Sequence, residues 1–347
     1  MQQKVQGGLN IQSHSQNFQE GPLFRIGVLL VKKSILGVSS IIMIALISAT
    51  VIYYPNSNEI IHPQLGQLHN AQDNQESKNQ SQQPQSEQLQ PIDTDDAITY
   101  TLQNNELNIT YNKGNEWMKV PVETNQLFEG EYNGNKQELI ENSYILTENR
   151  VAFLYSDGAR WDQKGILLIY STDQGKTWEE SLITKPFPAI RFKKVDFLND
   201  NFGYVIISGD RTMSQESSHV FLTHDGGKNW EETNNSGVTR LISDGGFVDE
   251  STGFLSFGTI NPEKPDLYVT EDGGMNWNES TFHIPKKYHQ IFVSAETPVK
   301  EDGHLAVLVN QGPHGDYEGG SVKGKFISND NGKTWDFTKE VQPNEAE

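Results

Sequence analysis

Short apolar runs alternate with polar turns through most of the chain. Four of these runs, Gly165–Tyr170, His219–Leu222, Asp266–Val269 and Gly324–Ile327, each lead directly into a polar octapeptide that ends in tryptophan. Runs of this length, with β-branched and aromatic residues between turn residues, are typical of β-strands. The pattern therefore predicts an all-β domain that is built from repeated hairpins.

The octapeptide has the form Ser/Thr-x-Asp-x-Gly-x-Thr/Asn-Trp, and a fifth, degenerate copy precedes the four full ones. The copies recur every 47 to 61 residues, which indicates one repeated unit of a propeller or solenoid. We predict that the aspartate closes a turn, the glycine takes a positive φ, and the tryptophan buries its ring. The residues in these roles are Asn112 and Trp117 in the degenerate copy, then Asp173, Gly175, Trp178, Asp225, Gly227, Trp230, Asp272, Gly274, Trp277, Asp330, Gly332 and Trp335.

These octapeptides resemble the Asp-box, or BNR repeat, of sialidases, sortilin-type receptors and photosystem assembly factors of the Ycf48 type. Phe197–Tyr204 and Phe247–Phe254 are similar to the inner-strand hairpins of such blades. The resemblance implies a β-propeller of four-stranded antiparallel blades over residues 97–340, with five blades. Six blades, one without a recognisable octapeptide, is the alternative. The first blade is expected to be short: either it lacks a strand or the two chain ends share one.

The N-terminal part of the chain has a different pattern. Ser34–Tyr54 is an uncharged, mostly apolar run of 21 residues, about the length of a transmembrane helix. Two lysines precede the run and no basic residue follows it closely, so we expect residues 1–33 in the cytoplasm and the propeller outside the cell. A cleaved signal peptide is the alternative, but Ile47-Ser-Ala49 is a poor cleavage site. We predict an uncleaved, single-pass anchor in the cell membrane.

Composition completes the domain plan. Residues 55–96 are rich in Gln, Asn and Ser, which predicts a disordered linker, and residues 341–347 form a C-terminal tail. Residues 1–33 carry a charge of +3 and the whole chain −19, so the remainder is strongly acidic. An acidic domain argues against nucleic acid as a partner. The absence of cysteine excludes disulfides and thiolate ligands, and no metal or other cofactor is expected.

The repeats also predict where a ligand site lies. In a blade with strands A to D, the octapeptide occupies the C–D turn, and the B–C and D–A connections lie at the opposite face. We therefore expect the octapeptides to be structural and the B–C connections to carry binding residues. Candidates for this binding face are Arg160, Trp161, Arg211, His314, Asp316 and Tyr317. The alternative interpretation is that Trp161 covers a blade edge and that the charges are solvated.

No catalytic residue is predicted. The sialidase resemblance implies three arginines that clamp a substrate carboxylate, a tyrosine–glutamate nucleophile pair, an aspartate acid and a Phe/Tyr-Arg-Ile-Pro motif. The near match to this motif, Phe24–Gly27, lacks the proline and precedes the membrane run. No motif places a triad among the arginines outside the cell, which are Arg150, Arg160, Arg191, Arg211 and Arg240. We predict a membrane-tethered, non-catalytic module that binds an extracytoplasmic protein or glycan. A degenerate sialidase-like glycoside hydrolase is the alternative.

Overall fold

The structure is a computed structural model in which strands are the main secondary structure of the described residues. The predicted cytoplasmic tail, membrane span and most of the linker lie outside the described residues. Among the residues described, no helix is both long enough and apolar enough to cross a membrane. The described ranges are 88–130, 134–158, 163–187, 189–212, 215–258, 261–313 and 315–343.

The first sheet has three antiparallel strands. They are β1 (Thr99–Thr101), β2 (Asn108–Thr110) and β3 (Met118–Lys119). Among the described residues, this sheet has no innermost strand, since only residues 97–109 lie between the predicted linker and its octapeptide. The last residues of the predicted linker lie beside it, where the Ile92 N–H donates to the Tyr100 carbonyl at 2.9 Å. A four-residue helix, α1 (Thr124–Leu127), lies in the connection to the second sheet.

The next three sheets each have four antiparallel strands in sequential order. The second contains β4 (Tyr144–Leu146), β5 (Val151–Asp157), β6 (Gly165–Ser171) and β7 (Glu179–Thr184). The third contains β8 (Ile190–Phe197), β9 (Gly203–Thr212), β10 (Gln215–Thr223) and β11 (Glu231–Glu232). The fourth contains β12 (Leu241–Phe247), β13 (Gly253–Gly258), β14 (Asp266–Thr270) and β15 (Asn278–Glu279).

The fifth sheet has an additional outer strand. β16 (Thr281–His283) continues from the fourth sheet and pairs in parallel with the last strand of the fifth. The other strands are β17 (Phe292–Ala295), β18 (Val299–Glu301), β19 (His304–Gln311), β20 (Lys323–Ser328) and β21 (Thr334–Val341). The predicted all-β class is confirmed, and the described residues form five sheets, one for each octapeptide.

Each full octapeptide closes the same turn. In the second sheet, the Ser171 hydroxyl accepts the Gly175 N–H at 2.9 Å, and Asp173 accepts both the N–H and the hydroxyl of Thr177 at 2.9 and 2.6 Å. These bonds explain the Ser/Thr at position 1 and the Thr/Asn at position 7. The hydrogen bonds from Thr177 lower the pKa of Asp173 to about 2. The glycine has a φ of 78°, a backbone conformation that other residues adopt only with strain.

In the degenerate copy, Asn112 still accepts the Glu116 N–H at 2.9 Å. Gly114 N–H also donates to the Thr110 hydroxyl at 3.0 Å, as in the full copies. Among the bonds of the described residues, the side-chain bond from position 7 is missing, because a glutamate carboxylate cannot donate to the asparagine oxygen. The turn therefore survives the two substitutions with one bond fewer.

The tryptophans of the full octapeptides lie at the junctions between consecutive sheets. Each joins the apolar cluster that its own sheet forms with the preceding sheet. Only Trp335 is completely buried among the five octapeptide tryptophans, which corrects the expectation that every ring is buried. The reason is β16: its Phe282 stacks on Trp335 with ring centroids 5.9 Å apart, and the other sheets have no such covering strand.

Candidate ligand-binding cleft on the loop face

The octapeptides and the A–B turns share one face, which we call the octapeptide face. Arg150, in the β4–β5 turn, donates to the carbonyls of Gly226 and Asp200 at 2.9 and 3.0 Å. Its guanidinium lies 3.8 Å from the ring centroid of Phe197, in the neighbouring sheet. These contacts tie an octapeptide to two A–B turns. Arg150 therefore has a structural role, and the opposite, loop face carries the B–C and D–A connections.

The structure describes three of the six predicted binding residues. Arg160, Trp161 and His314 lie outside the described residues, and Arg211 and Asp316 are exposed on the loop face. Tyr317 is half-buried; its hydroxyl donates to Glu340 at 2.9 Å and its ring packs edge-on against Phe292 at 6.2 Å. Tyr317 is thus part of the packing of the fifth sheet as well as of the loop surface.

The described arginines do not form a triad in one cleft. Arg191 binds the buried carboxylate of Glu216. Arg240 binds both oxygens of Asp266, and Arg150 lies on the octapeptide face. Each of these three guanidinium groups therefore has its own protein acceptors.

A large cleft opens on the loop face between the fourth and fifth sheets, with a volume of about 1310 Å³. Its walls come from the β13–β14 connection, from β14 and β15, and from the segment that joins β15 to β17. A smaller hollow of about 330 Å³ adjoins it and shares Pro262, Glu263 and Gln290 with it. Asp316 and Tyr317 line this hollow, so two of the predicted residues border a continuous groove.

Four charged side chains of the cleft form two pairs. Arg240 donates through Nη2 to Asp266 at 3.0 Å and to the Tyr268 hydroxyl at 3.2 Å, and through Nε to the second Asp266 oxygen. Lys264 binds Glu279 at 2.8 Å. The hydrogen bond with Asp266 raises the pKa of Arg240, and the one with Glu279 raises the pKa of Lys264. Both cations therefore stay charged in the cleft.

Aromatic rings and histidines complete the walls. Phe257 is buried and packs edge-on against the half-buried Tyr268, with centroids 5.6 Å apart. Phe282 is half-buried, and the exposed His283 binds Asp336 at 2.7 Å. The exposed His289 contacts the Ile284 carbonyl at 3.1 Å. The cleft thus combines apolar ring surface with donors and acceptors at fixed positions.

A second hollow, of about 530 Å³, lies among the inner strands. Its Lys194 donates to Asp244 at 2.7 Å and to the Thr297 hydroxyl at 3.1 Å, and Asp244 accepts the Thr297 N–H at 2.8 Å. Glu296 accepts from Asn310 and Lys323 at 2.7 and 2.6 Å. These bonds join the third, fourth and fifth sheets, so the polar groups in this hollow stabilise the contacts between the sheets.

Two tyrosine–glutamate pairs at the fifth sheet share one glutamate. Tyr317 and Tyr288 both donate to Glu340, which raises the pKa of Tyr317 and lowers that of Glu340. The Glu340 carboxylate supplies the adjacent base that a tyrosine nucleophile needs, while the pKa of Tyr317 stays raised. Every described carboxyl group whose pKa is clearly displaced is displaced downward, whereas a general acid for glycoside hydrolysis needs a raised pKa.

No group of three His, Cys, Asp or Glu side chains that could hold a metal ion occurs among the residues that the structure describes. Most of the cleft was not predicted from the sequence. The predicted binding residues all lie in B–C connections, but one wall of the cleft is the D–A segment 280–291, which carries Phe282, His283 and His289. The concentration of rings and histidines in that segment is the one signal that could have identified it.

Comparison with known proteins identifies the domain. The model of the DUF6242 beta propeller domain matches residues 64–301, so the match begins within the segment predicted to be a linker. The comparison with curated proteins found no match.

Solved structures with similar folds include a GH43_1 enzyme from Xanthomonas citri, at 10% identity over 57% of this chain and 72% of that chain, with a TM-score of 0.35. A protein of unknown function from Dyadobacter fermentans has 17% identity over 55% and 65%, with a TM-score of 0.37. A Hadza microbial sialidase has 16% identity over 57% and 43%, with a TM-score of 0.36. At these values, none of the three indicates an activity for this chain. Because the family model spans more than half of its residues, the chain belongs to the DUF6242 beta propeller domain family, and its sheets are blades of a β-propeller.

Proposed function

We propose that this protein is a membrane-tethered, extracytoplasmic β-propeller that binds a protein or glycan without catalysing a reaction. The observation that carries the proposal is the loop-face cleft between the fourth and fifth blades. Arg240 and Lys264 are paired there with Asp266 and Glu279, and the Tyr268 ring packs edge-on against Phe257. A large, largely pre-formed cleft with apolar walls and a few oriented polar groups is typical of ligand-binding sites.

The remaining parts of the proposal come from the sequence. Ser34–Tyr54 would serve as the membrane anchor and residues 55–96 as a tether. The Asp-box resemblance of the octapeptides is supported by their common turn geometry, which stabilises the blades. Protease added to intact cells should release a soluble propeller by cutting within the tether. A propeller that is already free in the medium, with an N-terminus near Thr50, would contradict the uncleaved anchor.

A degenerate sialidase-like glycoside hydrolase is the second candidate. The Tyr317–Glu340 and Tyr288–Glu340 pairs favour it, because sialidases use a tyrosine–glutamate nucleophile pair. Three arginines would also have to meet beside one such pair. Arg150, Arg191 and Arg240 instead bind carboxylates or carbonyls of their own, so we prefer the binding function.

Capture from cell envelopes by the full-length protein tests the binding function. The double variant Lys264→Ala, Glu279→Ala removes an ion pair whose side chains are 63% and 48% exposed, so the fold should persist. Lys333→Ala, Glu271→Ala removes a pair of similar exposure, 58% and 36%, on the octapeptide face and is the matched control. We expect the first variant to lose an envelope ligand that the control retains. If both variants retain every ligand of the wild type, the proposed site is wrong.

A further inference from the structure

We infer that the loop-face cleft binds an uncharged oligosaccharide, not a sialylated or otherwise anionic glycan. The inference rests on the proposed binding function and adds the chemical class of the ligand. Charge, hydrogen-bonding capacity and the shape of the cleft walls each point to this class.

The first reason is that the cations of the cleft are already neutralised. Arg240 uses Nε and Nη2 to bind both oxygens of Asp266, whose side chain is 18% exposed. An anionic ligand that took over this guanidinium would leave the Asp266 carboxylate largely buried without its partner, which is costly. Lys264 is bound to Glu279 in a pair that is more exposed. An added carboxylate or sulfate would therefore meet no unpaired cation of Arg240 or Lys264, and the adjacent Asp266 and Glu279 carboxylates would repel it.

The second reason is that each pair offers donors and acceptors together. Nη1 of Arg240 makes no hydrogen bond to another described residue, and the side chain is 41% exposed at the cleft. Carboxylate oxygens of Asp266 and Glu279 lie next to these donors and have further lone pairs. A sugar hydroxyl both donates and accepts. Neighbouring hydroxyls of a neutral sugar can therefore bind an ion pair without separating it.

The third reason concerns the walls. The half-buried rings of Tyr268 and Phe282 offer apolar surface to the hydrogen-bearing faces of sugar rings. A peptide that is recognised by strand addition needs a free strand edge of some length. β15 and β16, which border the cleft, have only two and three residues. The walls therefore suit a glycan better than an extended peptide.

A glycan array tests the inference with the full-length protein in detergent. The array carries neutral oligosaccharides of hexoses, pentoses and N-acetylhexosamines, together with sialylated and uronic acid-containing glycans. We expect binding to neutral glycans, with no gain from an added sialic or uronic acid. Lys264→Ala, Glu279→Ala should weaken this binding by about tenfold, since it removes hydrogen bonds from both members of the pair. The octapeptide-face control, Lys333→Ala, Glu271→Ala, should bind as the wild type does.

Three results would overturn the inference, and they differ in what they say about the proposed function. Binding restricted to anionic glycans, and lost in the cleft variant, would reject an uncharged ligand but keep the binding site. No glycan binding, together with cleft-dependent capture of an envelope protein, would also keep the site and make its ligand a protein. No binding of either kind would reject both proposals. Equal thermal unfolding midpoints for the two variants and the wild type would show that losses of binding do not come from misfolding.

Discussion

The two faces of this propeller use polar residues in opposite ways. On the octapeptide face, the same few residues make the same hydrogen bonds in each full copy, as Asp173 and Asp330 do with the threonines four positions later. On the loop face, the ion pairs differ in position and exposure from blade to blade: Arg240–Asp266 and Lys264–Glu279 line the cleft of the fourth blade, whereas Arg191 in the third blade binds the buried Glu216. The hydrogen bonds that recur in each blade stabilise the fold of that blade. The side chains that differ between blades are the ones available for a specific binding site.

The residues of the two faces also differ in whether they contribute to the stability of the domain or to ligand binding. The Ser/Thr, Asp and Trp positions of the octapeptides satisfy backbone groups and fill the junctions between blades, so substitutions there should destabilise the domain. Cleft residues are exposed pairs that contribute little to folding, because solvent screens them. The following four expectations test this division, from the largest effect to the smallest.

The largest effect is expected at the octapeptide tryptophan that is fully buried. Trp335→Ala should lower the free energy of unfolding by about 3–5 kcal/mol, as for other large aromatic residues removed from a core. Trp117→Ala is the matched change in the degenerate copy, where the ring is half-buried, and should cost clearly less. Urea denaturation of the two variants measures the difference. Equal losses of unfolding free energy would show that packing of Phe282 from β16 does not increase the contribution of Trp335 to stability.

A buried cation below the loop face should make stability depend on pH. Lys193 is nearly inaccessible, and its ammonium donates to the Leu127 carbonyl at 2.5 Å. Burial lowers the pKa of Lys193 from 10.5 to about 8. Between these values the unfolded chain binds more protons than the folded one, so stability should rise with pH by about 2–3 kcal/mol.

Lys193→Met provides the control for that titration. Methionine is of similar length and cannot ionise, so the rise in unfolding free energy between pH 8 and pH 10.5 should disappear. Chemical denaturation at several pH values in this range measures both proteins. An unchanged pH profile in the variant would mean that another group titrates there.

A smaller loss is expected at an octapeptide aspartate. Asp330→Ala leaves the Thr334 N–H and hydroxyl without their acceptor and should cost about 1 kcal/mol, since the turn is partly exposed. Asp330→Asn keeps one acceptor oxygen and should cost less. Denaturation midpoints of the two variants give the comparison. A cost for asparagine equal to that for alanine would contradict the role of the hydrogen bonds.

The smallest effect on stability is expected in the cleft. Lys264→Ala, Glu279→Ala removes an exposed ion pair and should change the free energy of unfolding by less than about 1 kcal/mol. A larger loss, measured by the same denaturation, would make the pair a structural element and would weaken the division between the two faces.

The repeated elements could be predicted from the sequence because their determinants are local. The Asp173 turn needs only residues within one octapeptide. The short first blade could be predicted because only residues 97–109 lie between the linker and its turn. The extra cover on Trp335 could not be predicted, because it depends on a parallel strand that arrives from the neighbouring blade.

Prediction of the loop face was less complete for the same reason. Asp316 and Tyr317 border the groove, as expected for B–C connections. Arg240 and Asp266 are 26 residues apart in the chain and meet only when the fourth blade is folded. The D–A segment with Phe282 and His283 becomes a wall only when the fifth blade closes beside it. A site formed by side chains from two blades cannot be predicted from the sequence pattern of one blade.

The most direct test of the central claim is to measure ligand binding and unfolding free energy on the same two variants of the full-length protein. Under conditions in which both are folded, Asp330→Ala should lose stability and bind the envelope ligand or glycan as the wild type does. Lys264→Ala, Glu279→Ala should keep its stability and lose binding. Loss of binding in the octapeptide variant, with binding retained in the cleft variant, would contradict the assignment of structure to one face and recognition to the other.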